Sequence, residues 1–479
     1  MALRACRGFV CAVERESTST ESGETARSNF ECALQGNFST QARHKTVITI
    51  GIRKEKAMTI ATGLRRRGNR SAKLATVLIV SAIATTACGS SSGPSASSKT
   101  SNSSGPIEIA GLQGTAAQGG QDFIDGMQIA ARQINSAGGV NGRQVKIDVT
   151  QTQGTAEGAV AAYEQAAQNP NVIGSFLGAT GGIAIRTQSS RVKLPVVIAN
   201  GVDSVVIPAD KYVFANDQGH ENSTASLTYA VNTLHAKSIA VLHYDTDFSE
   251  QIAGYVEAGC KQLGCTVTDV EAASATDSVN QLVPLLQKMK NSSPDAYYIE
   301  SVNPNGVVAA RQLGMFSKPV IAEQWLTVPA IAKACGAACE GIVFGGHKCT
   351  DPSLLPASDP YVNLCNNYIK LYQQSFPGQP FALFSIYGYA AVQTMVEAAH
   401  RALGAGHTLS RDNVVQQLES FHADFQTLIG KVKTSPTQHL LTGSFHEASV
   451  LYTISADPNG GSPTWALAPN SNPEVGAIG

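Results

Sequence analysis

This chain of 479 residues is short of charge: Asp, Glu, Lys and Arg make up 15% of it, with a net charge of −1. Near-neutrality removes the electrostatic case for nucleic acid as a partner. Long apolar runs are missing as well. The one hydrophobic stretch of note, Leu74–Ala87, falls short of the about 20 residues that span a bilayer. Catalytic signatures are equally scarce. There is no HExxH, no Walker A loop, and no GxGxxG following a strand. A GxSxG does occur at Gly89–Gly93, but within a Ser/Gly tract and not on the strand–turn–helix that a nucleophile needs. His243 beside Asp245 and Asp247 ends a strand pattern, where a cleft-lining histidine is commoner than a hydrolase pair. Enzyme activity, a cofactor and a resident metal are not expected.

What is present begins with an address. Arg65–Arg70 is basic, Leu74–Ala87 is apolar and then small, and Cys88 follows. A cationic region, an apolar region and a small-residue cleavage site form an export signal. A cysteine at the cleavage point followed by a Ser/Gly-rich segment reads as a lipoprotein signal, lipidated at Cys88. Residues 58–88 are read as the signal peptide and 89–105 as a flexible tether. Residues 1–57 are read as a mis-called start or a disordered leader, since Met58 opens a sensible signal. The expected location is the outer face of the cell membrane.

The six cysteines of the body, Cys260, Cys265, Cys335, Cys339, Cys349 and Cys365, are disulfide candidates in an exported chain. Sequence order favours 260–265, 335–339 and 349–365, with other connectivities open. A zinc site from Cys335, Cys339, His347 and Cys349 lacks paired CxxC spacing and is not expected.

From Pro106 onward, short apolar strands alternate with amphipathic helices. Strands are expected at 107–112, 145–150, 172–177, 195–199, 238–244, 265–271, 296–300, 319–322 and 341–345. Helices are expected between them, then at 362–374, 384–403 and 412–421. Two successive runs of this kind imply an α/β protein of two Rossmann-like lobes with parallel sheets. Polar, glycine-rich loops follow the strands at Gln113, at Ala179-Thr180 and at Asn200-Gly201-Val202, where open α/β sheets bind ligands. A helix N-terminus with a hydroxyl there suits a carboxylate.

The segment 107–154, IEIAGLQGTAAQGGQDFIDGMQIAARQINSAGGVNGRQVKIDVTQTQG, resembles the opening of the leucine/isoleucine/valine-binding family of type I periplasmic binding proteins. VIGSFLGATGGIA, KLPVVIANGV, SPDAYYIES and YGYAAVQTMVEAA continue it in order, so that the resemblance runs from Pro106 to about Leu467. It implies two lobes joined by a hinge of several crossings: 106–225 with 348–445, and 226–347 with 446–470. It implies a monomeric, extracytoplasmic receptor that captures an amino acid or a related carboxylate or amide and delivers it to an ABC permease. A ligand-sensing protein of the same fold without a transport role is the alternative. The resemblance carries ligand contacts to Ala179, Thr180, Asn200, Gly201, Val202, Phe248, Asn303, Glu323, Gln324 and Phe384, and the strand-end loop adds Gln113 as a candidate. The acid that meets the ligand ammonium falls on Glu323 or its neighbour Gln324.

Overall fold

The computed structural model describes residues 9–16, 27–34, 105–115, 119–178, 180–199, 203–217, 219–443, 445–455, 457 and 464–470. The signal, Cys88 and the tether up to residue 104 lie outside these. Near the N-terminus, Phe9–Glu16 pairs antiparallel with Arg27–Leu34, a ladder that sequence reading did not assign. It belongs to a separate compact unit, Met1–Pro94.

In the second unit, Ser95–Gly479, the described strands form two large sheets and a separate hairpin, His422–Thr427 with Gly430–Lys433. The first orders its strands Val145–Gln151, Ile107–Gln113, Val172–Leu177, Val196–Ile198 and Val213–Ala215, all parallel. Apart from the edge strand Val145–Gln151, these strands are buried almost end to end, as sheets covered on both faces require. Helices Gly120–Ser136, Ala156–Ala167 and Gly182–Val192 connect them. The later helices Pro360–Ser375, Ser385–Gly404 and Arg411–Leu418 return to the same core, packing Met395 with Phe123 and Phe176. The second sheet runs Thr464–Leu467, Ser449–Ser455, Val343–His347, Val320–Ala322, Ala296–Ile299, Ser238–Tyr244, Thr266–Ala273. Its first two strands are antiparallel additions. The architecture is thus α/β with two parallel-sheet lobes, linked where the chain leaves Val213–Ala215, Val343–His347 and the 439–443 segment.

One expected boundary moves. Helix Gly219–Asn232, cut in two by a boundary at 225/226, packs wholly on the second sheet. Sequence periodicity misses this helix because half of its buried residues are polar: Asn222, Ser223, Thr224, Ser226 and Thr228. All but Asn222 satisfy their hydroxyls within the helix. The hydroxyls of Ser223, Thr224, Ser226 and Thr228 donate to carbonyls four residues back at 2.7–3.1 Å. Ser226 Oγ also accepts the Gly345 N–H at 2.9 Å, tying helix to sheet.

The glycines of the first-lobe helices are steric. A Cβ on Gly126 would lie 1.8 Å from Ser385 O, and one on Gly388 would lie 2.0 Å from Phe123 O. Helices Gly120–Ser136 and Ser385–Gly404 therefore touch backbone to backbone. Gly126→Ala should force them apart and cost about 1–3 kcal/mol, read as a lower denaturant midpoint with an unchanged slope.

In the structure, disulfides join Cys260 to Cys265, Cys335 to Cys339, and Cys349 to Cys365. Among the described residues no helix is long and apolar enough to cross a membrane.

Candidate functional site

Ligands of open α/β sheets meet the carboxyl ends of strands. In the second lobe, Ala296–Ile299 runs into Glu300 and Ser301, and Val320–Ala322 runs into Glu323, Gln324 and Trp325. Trp325 reaches the first lobe. Its ring stands edge-on to Phe384 at 5.2 Å and edge-on to Phe248, from its own lobe, at 6.2 Å. Phe384 stacks on Phe123 at 5.5 Å, so that the contact is anchored in the first-lobe core. A second bridge runs from the turn after Val196–Ile198. Asp203 N–H donates to Tyr255 Oη at 2.6 Å and Ser204 N–H to Gln251 Oε1 at 3.2 Å. His220 stacks on Tyr255 at 3.9 Å and lies 3.2 Å from the Asp203 carboxylate.

Where the chain first crosses between lobes, the interior turns polar. Gln324 is the hub. Its Nε2 donates to Asp217 Oδ1, and its Oε1 accepts from Asn222 Nδ2 and Tyr387 Oη, each at 3.0 Å. Asn216 Nδ2 donates to Tyr387 O at 2.9 Å. Glu323 is fully buried, accepting the Trp325 N–H at 3.2 Å and the Ser301 hydroxyl at 3.4 Å. Glu300 is fully buried too, and neither of its oxygens makes a well-formed hydrogen bond. Burial pushes the Glu300 carboxyl up to about 7, tempered only by the nearby Ser249 hydroxyl and Tyr244 backbone. Burial first and the Glu300 charge second hold Glu323 well above the usual carboxylate range. Glu221, on the crossing helix, is pushed up to about 7, again mainly by burial.

The expected site residues divide into groups. Glu323, Gln324, Phe248 and Phe384 are brought together around Trp325 and the crossing. The Gln324 amide ties the crossing together, and the Glu323 carboxyl sits at the strand end. Thr180 is exposed, just before helix Gly182–Val192. Gln113 lies in a row of amides, accepting from Gln151 Nε2 at 2.5 Å and donating to Gln121 Oε1 at 2.8 Å. Asn303 is committed elsewhere. Its Oδ1 caps helix Pro304–Gln312 through the Asn305 N–H, and its Nδ2 donates to Asp277 O at 2.8 Å. Ala179, Asn200, Gly201 and Val202 lie outside the described residues. His243 makes no pair with Asp245: its Nδ1 lies 3.1 Å from Tyr244 O, and Asp245 accepts the Ala275 N–H at 3.2 Å. Sequence reading missed Asp217, Glu300 and Tyr387. Glu300 left a trace, a lone carboxylate closing the apolar strand AYYIE.

A metal finds no free ligands at the histidine–cysteine cluster. His347, Cys349 and Cys365 offer atoms within 4.8 Å of one another. Yet the two sulfurs are bonded to each other, His347 Nδ1 accepts the Cys349 N–H at 3.0 Å, and Nε2 donates to Leu428 O at 2.8 Å. Burial holds this imidazole down to about 4, so that it stays neutral.

Residues 109–453 match a family model described as periplasmic binding protein. The Leu/Ile/Val-binding protein homolog 3 of Brucella melitensis is 23% identical over 346 residues, covering 70% of this chain and 88% of that protein. An amino acid binding protein of Pseudomonas aeruginosa is 24% identical over 318 residues, covering 62% and 78%. Among solved structures, an extracellular ligand-binding receptor from Rhodopseudomonas palustris superposes with a TM-score of 0.65 at 18% identity, over 76% of this chain and 99% of that one. A leucine-binding protein from Thermotoga maritima gives 0.60 at 21% identity, over 76% and 98%.

Proposed function

Because this chain belongs to the periplasmic binding protein family, we propose that it is an extracytoplasmic solute receptor. It captures an amino acid or a related small carboxylate or amide between its lobes and hands it to an ABC permease. The observation that carries this reading is Glu323. It is a fully buried acid at a strand's carboxyl end, two residues before the tryptophan that touches the other lobe. A ligand ammonium there would replace the missing counter-charge, and aromatic contacts on both lobes would close over its body. The loops at Ala179-Thr180 and Asn200-Gly201-Val202 would take the ligand carboxylate. The relatives named above are solute-binding proteins, and no bond-breaking chemistry is assigned.

Delivery asks for proximity. Lipid on Cys88 would contribute about 0.8 kcal/mol of membrane affinity per buried CH₂. The tether of 89–105 would then keep the receptor at high effective concentration near its permease.

A thermal-shift screen of amino acids, amides and aromatic acids tests the reading. A true ligand raises the melting temperature in step with RT ln(1 + [L]/Kd). Silence across the whole set from a folded protein would contradict it. Thr180→Ala should weaken a carboxylate ligand about 5-fold, as loss of one hydrogen bond does, with isothermal titration as the readout. An unchanged Kd removes Thr180 from the site.

A further inference from the structure

The polar groups left unmatched around the first crossing are mostly of one kind. Asn216 Oδ1, Glu221 Oε2 and Asn222 Oδ1 are buried acceptors without a hydrogen-bond donor, and the two oxygens of Glu300 have only the Ser249 hydroxyl and the Tyr244 backbone nearby, neither in well-formed geometry. Asn222 is 1% exposed and Glu300 is fully buried. In the same region the acids act on one another: Glu323 feels Glu300 and Asp217, and Glu221 feels Asp217 and Asp203. The one base that acts on any of them is His220, already on Asp203. The groups that face Glu300 are Glu323, Tyr244, Tyr298 and Ser249, with no lysine or arginine among them.

Charge arithmetic then bears on the ligand. The ammonium of a neutral-side-chain amino acid balances one buried carboxylate. Here Glu323 has a second, Glu300, from the neighbouring strand end, and a buried charge without a partner is costly. Buried acceptors call for donors. A second cationic nitrogen supplies both the charge and two or more N–H groups.

We propose that Glu300 is a specificity residue and that this receptor takes a basic amino acid, whose side-chain cation meets Glu300 while its α-ammonium meets Glu323. The proposal rests on the solute-receptor reading and narrows it. The discrimination is positive, because the pair costs stability until the second cation arrives.

Isothermal titration of the full chain against matched pairs tests it: L-ornithine with L-norvaline, and L-lysine with L-norleucine. The basic member of at least one pair should bind 10-fold or more tightly than its neutral isostere. Glu300→Gln, which keeps the shape of the side chain, should reduce that ratio at least 10-fold while leaving the neutral member's Kd within about 3-fold. Neutral members binding as tightly as basic ones overturn the proposal but leave the receptor reading standing. A preference that survives Glu300→Gln also overturns it, since the charge would then be read elsewhere. No binding by any of the four, from a protein that melts cooperatively, overturns the proposal and counts against the receptor reading as well.

Discussion

Glu323→Gln should melt at a higher temperature than the native chain at pH 8, yet no longer respond to ligand. The two effects share one cause. Glu323 is buried beside Glu300 and Asp217, so that its charge is opposed by desolvation and by its neighbours. An amide removes the charge and keeps an oxygen for the Trp325 N–H. The ligand-free protein should gain roughly 1–3 kcal/mol, the usual size of relief for an ill-satisfied buried group. Binding should lose about 2–5 kcal/mol, as when one partner of a buried charge pair is removed. A group that only holds the fold together would move both readouts downward. Differential scanning calorimetry with and without ligand separates the two cases.

The pH dependence of the ligand-free protein carries the second large effect. Glu300 titrates at about 7 in the folded chain against 4.5 for the free side chain. Between those values the folded state holds a proton that the unfolded state has lost, so stability falls as pH rises through this window. The loss is roughly 3 kcal/mol at 1.36 kcal/mol per pKa unit. It is complete above pH 7, and Glu221 and Glu323 act in the same direction. Glu300→Gln should match the native chain at about pH 4, below both pKa values, and exceed it by roughly 3 kcal/mol at pH 8. Urea melts across that range are the measurement. Parallel profiles for the two proteins would show that Glu300 ionises normally.

Most of the fold was legible in the sequence, because its strands obey a simple rule. VIGSFL, SIAVLHY and AYYIE are short apolar runs between helical patterns, and Val172–Leu177, Ser238–Tyr244 and Ala296–Ile299 form there. Elements that break the rule stayed hidden. Gly219–Asn232 buries serines and threonines that bond to their own helix, so its apolar stripe is interrupted. The antiparallel strands Ser449–Ser455 and Thr464–Leu467 come after the last long helices and pair outside the parallel strand–helix alternation. Family likeness pointed to Glu323, Gln324, Phe248 and Phe384, which gather around Trp325 and the crossing, and to Asn303, whose amide oxygen caps a helix. Glu300 and Asp217 were missed because a single acid at a strand end looks like a solvated terminus. Only the folded packing around Tyr244, Ser249 and Glu323 makes Glu300 a buried carboxyl.

The central claim is that the lobes hold a small solute whose cationic nitrogen meets buried acid at the ends of the second sheet. Calorimetric titration of the full chain and of Glu323→Gln, with the same amino acid panel, addresses it most directly. One-to-one binding by the native chain, lost in the variant while its fold is retained, is the predicted result. Equal binding by both proteins would contradict the account.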